Sequence, residues 1–391
     1  MRVAFFSWES LHSLPVGGVA AHVTELSAAL QRRGHEVHNF VRLGEGQRTY
    51  DVVDGVHYHR CPIDLHPDFV TEMNNMGNSF MYFMGQTEAH QGGRFDIVHG
   101  HDWLSAKGIV QAKNDRGSRT VFTIHSTEFG RCGNHFRNGN SDRIRQIECE
   151  AAHRADRAIT VSGALADEVK WQYHVPDWKL RTVYNGVNCR HYDGYIDAGA
   201  VRAQYGVGPM DPMVLFVGRL SVQKGPDILL EAVPGILNYR SDAKIVFVGD
   251  GDLRGQLEHR ARELGVQHAV RFLGAMEPNG RLTNLFKSTD CVCVPSRNEP
   301  FGIVVLEAWA AGKPVVVTHN GGPRDFVTHN EDGYLIYDNP NSICWGVNQM
   351  FSNFAHARWM GSRGRVKAAY GFSWDRIAEQ TEGIYYELLN N

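Results

Sequence analysis

The sequence predicts a doubly wound α/β protein made of two Rossmann-like domains that face each other across a cleft. Three observations carry that expectation. The chain has 391 residues, more than one ordinary core accommodates. Short β-branched runs alternate with longer helical patterns, the order from which parallel sheets are built. The alternation breaks once, at a stretch rich in Gly, Asp and Pro, and then restarts.

Taken in order, "VAFFSW" reads as a first strand, followed by a helix from Val19 to Arg33 that Gly34 closes, and "HEVHNFV" as the next strand. "VVDGVHYHR" places Asp54-Gly55 between two β-type runs, the signature of a tight hairpin. "FDIVHG", "RTVFTIH", "RAITVS" and "LRTVYNG" each adjoin a helical segment. The break is "NCRHYDGYIDAGAVRAQYGVGPMDP", and the linker is placed there, near residues 188–210. The second series is "MVLFVG", "AKIVFVG", "AVRFLG", "CVCVP" and "KPVVVT", several of them continuous runs suited to strands covered on both faces. The expected division is a domain over 1–190, a second over 191–371, and an amphipathic helix over 372–391 that returns to the first.

Composition excludes several classes. Apolar content of 42% with 21% charged residues is that of a globular protein, and a net charge of −3 advertises no surface for nucleic acid. The one mildly basic stretch, "RRGHEVHNFVR", spans a helix end and a strand. Seven cysteines, an odd number with no C-x-x-C, imply a reducing compartment with neither a disulfide framework nor a zinc site. The apolar run at the N-terminus is too short for a signal peptide, and no stretch of 18 apolar residues spans a membrane. A cytoplasmic location follows as the expectation; peripheral membrane contact and oligomeric state stay open.

The chemistry-bearing residues cluster at strand ends. Gly17 and Gly18 follow the first strand and open a helix, where backbone N–H groups and the helix dipole bind anions; a plain tight turn is the other reading. "VGDGDLRG" approaches the dinucleotide fingerprint, but its last glycine comes one residue late, which disfavours a nicotinamide oxidoreductase. Arg219 and Lys224 sit between a strand and a helix, a fork and a point charge suited to the two phosphates of a diphosphate. Gly302, Ile303 and Val304 open another helix at a strand end. In "EPFGIVVLEAWAAGKPVVV", Glu299 precedes that helix and Glu307 lies two turns inside it. A fully helical path of eight residues separates the pair by roughly 12 Å. That is too far for two carboxylates at one glycosidic bond, which lie about 5–9.5 Å apart, and it suits a ligand of nucleotide-sugar length. Among the 20 histidines, His99, His101 and His125 with Asp102 suggest a metal cluster, yet no third ligand has a recognisable spacing. His99 and His101 therefore read as core or wall residues, and no metal is expected.

Together Gly17-Gly18, Arg219…Lys224 and E-x7-E resemble the retaining GT-B glycosyltransferases of the family-4 type, related to glycogen and sucrose-phosphate synthases. "HGHDW", "TIHSTEFGR", "ADRAITVS", "YNGV" and "NGGPRDFV" extend the likeness over nearly the whole chain. The resemblance implies the GT-B fold, with the first domain on the acceptor side and the second binding the donor. Transfer of a hexose from a nucleoside diphosphate sugar to an acceptor hydroxyl follows, by front-face attack and without a metal or any other cofactor. ADP- or UDP-glucose is the implied donor, a mannosyl or N-acetylhexosaminyl donor the alternative, and a saccharide such as an α-glucan or a small molecule the acceptor. It also implies roles: Glu299 on the donor sugar, Glu307 on the ribose, Arg219 and Lys224 on the diphosphate, Gly18 beside it, His125 near the reacting sugar and Asp102 on the acceptor side. A sugar-nucleotide epimerase of the same fold and a non-catalytic binding protein are the rival classes. The polar loop over 126–141 shapes the acceptor site or is a plain surface loop; the sequence leaves both open.

Overall fold

A computed structural model describes residues 1–277 and 280–390. The chain divides into two compact units. Unit 1 comprises Met1–Phe129, His135–Asn185 and Trp374–Asn391; unit 2 comprises Gly130–Asn134 and Gly186–Ser373.

Unit 1 is built on eight strands: β1 (Arg2–Ser7), β2 (Glu36–Arg42), β3 (Tyr50–Val53), β4 (Val56–Cys61), β5 (Ile97–His101), β6 (Thr120–Ile124), β7 (Arg157–Thr160) and β8 (Leu180–Thr182). Their spatial order is β3-β4-β2-β1-β5-β6-β7-β8, parallel throughout except for the β3–β4 pair. That pair is the hairpin expected at Asp54-Gly55, whose φ values of 51° and 77° are the two left-handed residues a type I′ turn demands. The first helix runs Gly18–Arg32, and Gly34 follows at φ 89°. The last helix, Trp374–Leu389, buries Trp374, Ile377, Ala378, Thr381, Ile384, Tyr385 and Leu388, a stripe at i, i+3, i+4, i+7 spacing. It joins Val3, Phe5, Val23, Leu26, Val37 and Ile97 in one core.

Unit 2 carries β9 (Met213–Val217), β10 (Lys244–Val248), β11 (Val270–Phe272), β12 (Cys291–Val294), β13 (Val315–Thr318) and β14 (Gly333–Ile336), all parallel, in the order β11-β10-β9-β12-β13-β14. The sequence reading contains no counterpart of β14, because "GYLI" is short and follows a polar turn. The stretch expected as a linker is structured within unit 2: it holds a 3-10 turn, Cys189–Tyr192, and a helix, Ala198–Ala203. Buried Arg202 fastens it, donating to the carbonyl oxygens of Ser288, Pro209 and Asp211 and to Asp290. The glycines of "VGDG" serve packing. A β-carbon on Gly249, whose φ is 137°, would lie 1.9 Å from the carbonyl oxygen of Gly218, so two strand ends cross at backbone contact there. Among the described residues no helix is long and apolar enough to cross a membrane.

Candidate functional site

In unit 2 three strand ends supply the polar groups. After β9 the chain turns through a 3-10 segment, Val222–Lys224, and Gly225 at φ 66° lets the helix Pro226–Tyr239 begin. Arg219 donates to the Gln223 side chain at 3.3 Å. Lys224 Nζ donates to both carboxylate oxygens of Glu299, at 3.0 and 2.9 Å, and Ser296 Oγ donates to Oε2 at 2.9 Å. Glu299 is 6% exposed, so its charge is held by a cation and a hydroxyl away from water. Its backbone is fixed as well: its N–H donates to Asn320 and its carbonyl accepts from Gly322. Gly321, at φ 115°, passes so close that a β-carbon would lie 2.1 Å from the Glu299 carbonyl oxygen, which accounts for "NGG".

Gly302, at φ 97°, caps the helix Ile303–Ala310 without a side-chain bond. A β-carbon there would lie 3.4 Å from Glu299 Cγ, so the helix start and the carboxylate are neighbours. This corrects the expected spacing. The helix starts only at Ile303, so Glu307 lies one turn in, and Glu299 sits on a bridge to Gly321 instead of on a helical path. The half-buried Glu307 carboxyl is pushed up to about 7 by burial, against the hydroxyl of Tyr192, which bonds to it and favours its charge.

In unit 1 the expected anion-binding turn already holds a carboxylate. Gly17 N–H donates to Glu9 Oε2 at 2.6 Å. Burial pushes Glu9 up to about 7, with Asp102 adding to the effect and the N–H groups of Gly17, Val16 and Ala20 opposing it. Asp102 stands at φ 56°, ψ 172°, a conformation strained for a residue with a side chain, at the start of the helix Trp103–Arg116. Its Oδ1 accepts the backbone N–H of His125 at 2.9 Å, tying the ends of β5 and β6 together. The buried His125 ring is depressed to about 3 by desolvation and is neutral at physiological pH. His99 is a core residue, bonded to the Tyr385 hydroxyl at 2.6 Å and to Thr123 at 2.7 Å. His101 is more than a wall: its Nδ1 lies 3.2 Å from His125 Nε2. His22, whose Nδ1 meets Asn185 Oδ1 at 2.6 Å, completes a group of three buried imidazoles. Their nitrogens lie within 4.8 Å of one another, a set able to hold a metal ion. The third member comes from the first helix, which the spacing of His99, His101 and His125 could not reveal.

Sequence reasoning thus missed Glu9, His22, Asn185, Tyr192 and Ser296. Glu9 alone carried a usable signal, an acid at the end of the first strand in "SWES". The loop over 126–141 is shared between the units: Asn134 donates to the Arg297 carbonyl and accepts from Asn298 in unit 2, while Phe136 stacks near Phe129 and Trp171 in unit 1.

Two parallel-sheet units, each presenting polar groups at its strand ends, define the GT-B class of α/β transferases. Comparison with known proteins fixes the family. Residues 198–367 match the family described as glycosyl transferases group 1, and residues 16–191 match glycosyltransferase family 4. An uncharacterized glycosyltransferase of Methanocaldococcus jannaschii is 36% identical over 389 residues, covering 98% of each chain. The glycogen synthase of Mycobacterium tuberculosis is 28% identical over 406 residues, covering 98% of this chain and 94% of its own. The structure of sucrose-phosphate synthase from Thermosynechococcus elongatus superposes with a TM-score of 0.83 at 22% identity, over 100% of this chain and 99% of that one. The chain belongs to the family-4 type of GT-B glycosyltransferases.

Proposed function

We propose that the protein is a retaining hexosyltransferase that moves glucose from ADP- or UDP-glucose to a hydroxyl of a saccharide or small-molecule acceptor. The observation that carries this reading is the Lys224–Glu299 pair, backed by Ser296 and set beside the helix start at Gly302. A diphosphate entering there competes for Lys224, and the sugar hydroxyls then take the freed carboxylate of Glu299. Arg219 and Lys224 meet the charge that develops as the bond from the anomeric carbon to phosphate oxygen breaks. The acceptor oxygen bonds to that carbon on the same face, and its proton passes to the departing phosphate. Glu307 holds the ribose, and Gly302, Ile303 and Val304 present backbone to the phosphates; in unit 1 the Gly17-Gly18 turn is an anion site once Glu9 yields the Gly17 N–H. His125, a neutral hydrogen-bonding ring, lies by the reacting sugar, with Asp102 on the acceptor side. The two cations do the work a divalent ion does elsewhere, so the donor needs no metal or further cofactor.

The test is a panel of nucleotide sugars assayed for donor breakdown with and without EDTA, followed by mass analysis of products with candidate acceptors. A glucosylated acceptor formed equally well in EDTA is expected. A free monosaccharide epimerised at a ring carbon and formed without acceptor identifies an epimerase instead, preferential turnover of mannosyl or N-acetylhexosaminyl donors overturns the donor choice, and activity restored only by Mg²⁺ or Mn²⁺ overturns the metal-free reading.

A further inference from the structure

Outside the residues considered so far, unit 1 contains a cavity of about 290 Å³ between the helices Asn140–Arg154 and Gly163–Tyr173. Asp142, Arg145, Gln146, Cys149, Gln172 and Tyr173 line it. Gln172 makes no hydrogen bond through Oε1 or through Nε2, and Arg145 Nε is likewise without a partner, although all three atoms are buried. Buried polar atoms are nearly always satisfied, so three unmet ones on a single cavity point to a polar guest. The rim is aromatic. The Arg145 guanidinium lies 4.3 Å above the ring of Phe136, which stands 6.0 Å from Trp171, and Phe129 touches both. Phe136 is 53% exposed and Trp171 58%, so parts of both rings reach the surface, one against Arg145 and the other next to Gln172 in the chain.

The charge balance selects the guest. Arg145 pairs with Asp142 at 3.2 Å, and the other four lining residues carry no charge, because burial pushes the Cys149 thiol up and keeps it protonated. An anion finds no net attraction there. A hydroxylated ring fits on both counts: each hydroxyl donates and accepts, as the Gln172 amide does, and the C–H face of a sugar lies flat on an aromatic ring. The volume lies just below the range of drug-sized ligand sites, about 300–1,000 Å³, which limits the guest to a single small ring. We propose that this cavity is a saccharide-binding site, taking one sugar ring beside Gln172 and Arg145 while its neighbour lies on Phe136 and Trp171. Its six lining residues are distinct from the donor and acceptor residues named above, although Phe129 and Phe136 on its rim belong to the 126–141 loop.

The full-length protein is titrated calorimetrically with maltotriose, mannobiose and chitobiose, and with inorganic phosphate and sulfate as anionic probes. At least one saccharide is expected to bind with a Kd of about 1 mM, and Trp171→Ala and Gln172→Leu each to weaken it about fivefold or more, with circular dichroism unchanged. Should Trp171→Ala fail to fold, Phe136→Ala takes its place. Three outcomes overturn the site: no saccharide binding up to about 50 mM, saccharide affinity unaltered by the substitutions, or saturable phosphate or sulfate binding that Gln172→Leu abolishes. Binding is read without turnover, so its failure is distinct from failure of the transferase reading.

Discussion

Lys224 and Glu299 satisfy each other in the ligand-free chain, and that pairing makes their substitutions informative. Lys224→Ala leaves a carboxylate that is almost fully buried, with Ser296 as its remaining side-chain partner. It also removes a charge-assisted bond to the departing phosphate. Turnover is expected to fall roughly 10²-fold or more, measured by steady-state kinetics with folding verified by circular dichroism. The two carboxylates should fail differently. Glu299→Gln acts beside the bond being broken and depresses kcat, whereas Glu307→Gln removes ribose binding common to ground and transition states and raises the donor KM. Kinetics of both variants at saturating acceptor check the division. Equal loss of kcat at unchanged KM would contradict it.

At the scale of the element, the site depends on places where backbone runs against backbone. Gly321 is one: a methyl group would meet the Glu299 carbonyl oxygen at 2.1 Å, in a conformation that side chains avoid. Gly321→Ala should therefore cost about 2–4 kcal/mol of stability and abolish turnover together; a melting curve and an assay of the same preparation test it. The parallel runs, the Asp54-Gly55 hairpin and the amphipathic last helix were legible because each is a local pattern with one cause. The start of the helix after Glu299 was not, because nothing in "EPFGIV" distinguishes a helical Glu-Pro-Phe from a bridge ended by a left-handed glycine. Ser296 and Tyr192 were hidden for another reason. An ordinary serine and tyrosine gain their meaning only from the carboxylate that folding places beside them.

Across the whole molecule the buried histidines share one consequence. Buried His22, His38, His99, His101 and His125 and half-buried His59 all lie in unit 1, and desolvation lowers each below its usual 6.5. Below pH 6.5 the unfolded chain binds protons that the folded chain refuses, so stability is complete above that pH and falls as pH drops. At pH 5.5 each such ring that stays neutral when folded costs about 1.4 kcal/mol. Calorimetric scans from pH 7.5 to 5 should show a transition that moves steadily to lower temperature below pH 6.5. Glu9 and Glu307, both pushed up to about 7, act in the opposite sense, but two carboxyls are outnumbered by six rings. A melting temperature that does not fall over that range, in the protein or in its Glu9→Gln variant, would therefore contradict the burial of these rings.

The last helix belongs to the core of the first unit, and this dictates an order of events during synthesis. Residues Met1–Asn185 leave the ribosome without Trp374, Ile377 and Tyr385, so one of the two partners of His99 and one flank of the β1 core do not yet exist. Translation of the following 200 or so residues takes about 10–40 s, and unit 2 emerges in full before the missing helix does. The half of the protein made first is thus the half finished last. A stalled or prematurely ended chain would display an unclosed apolar sheet to the chaperones waiting at the exit tunnel.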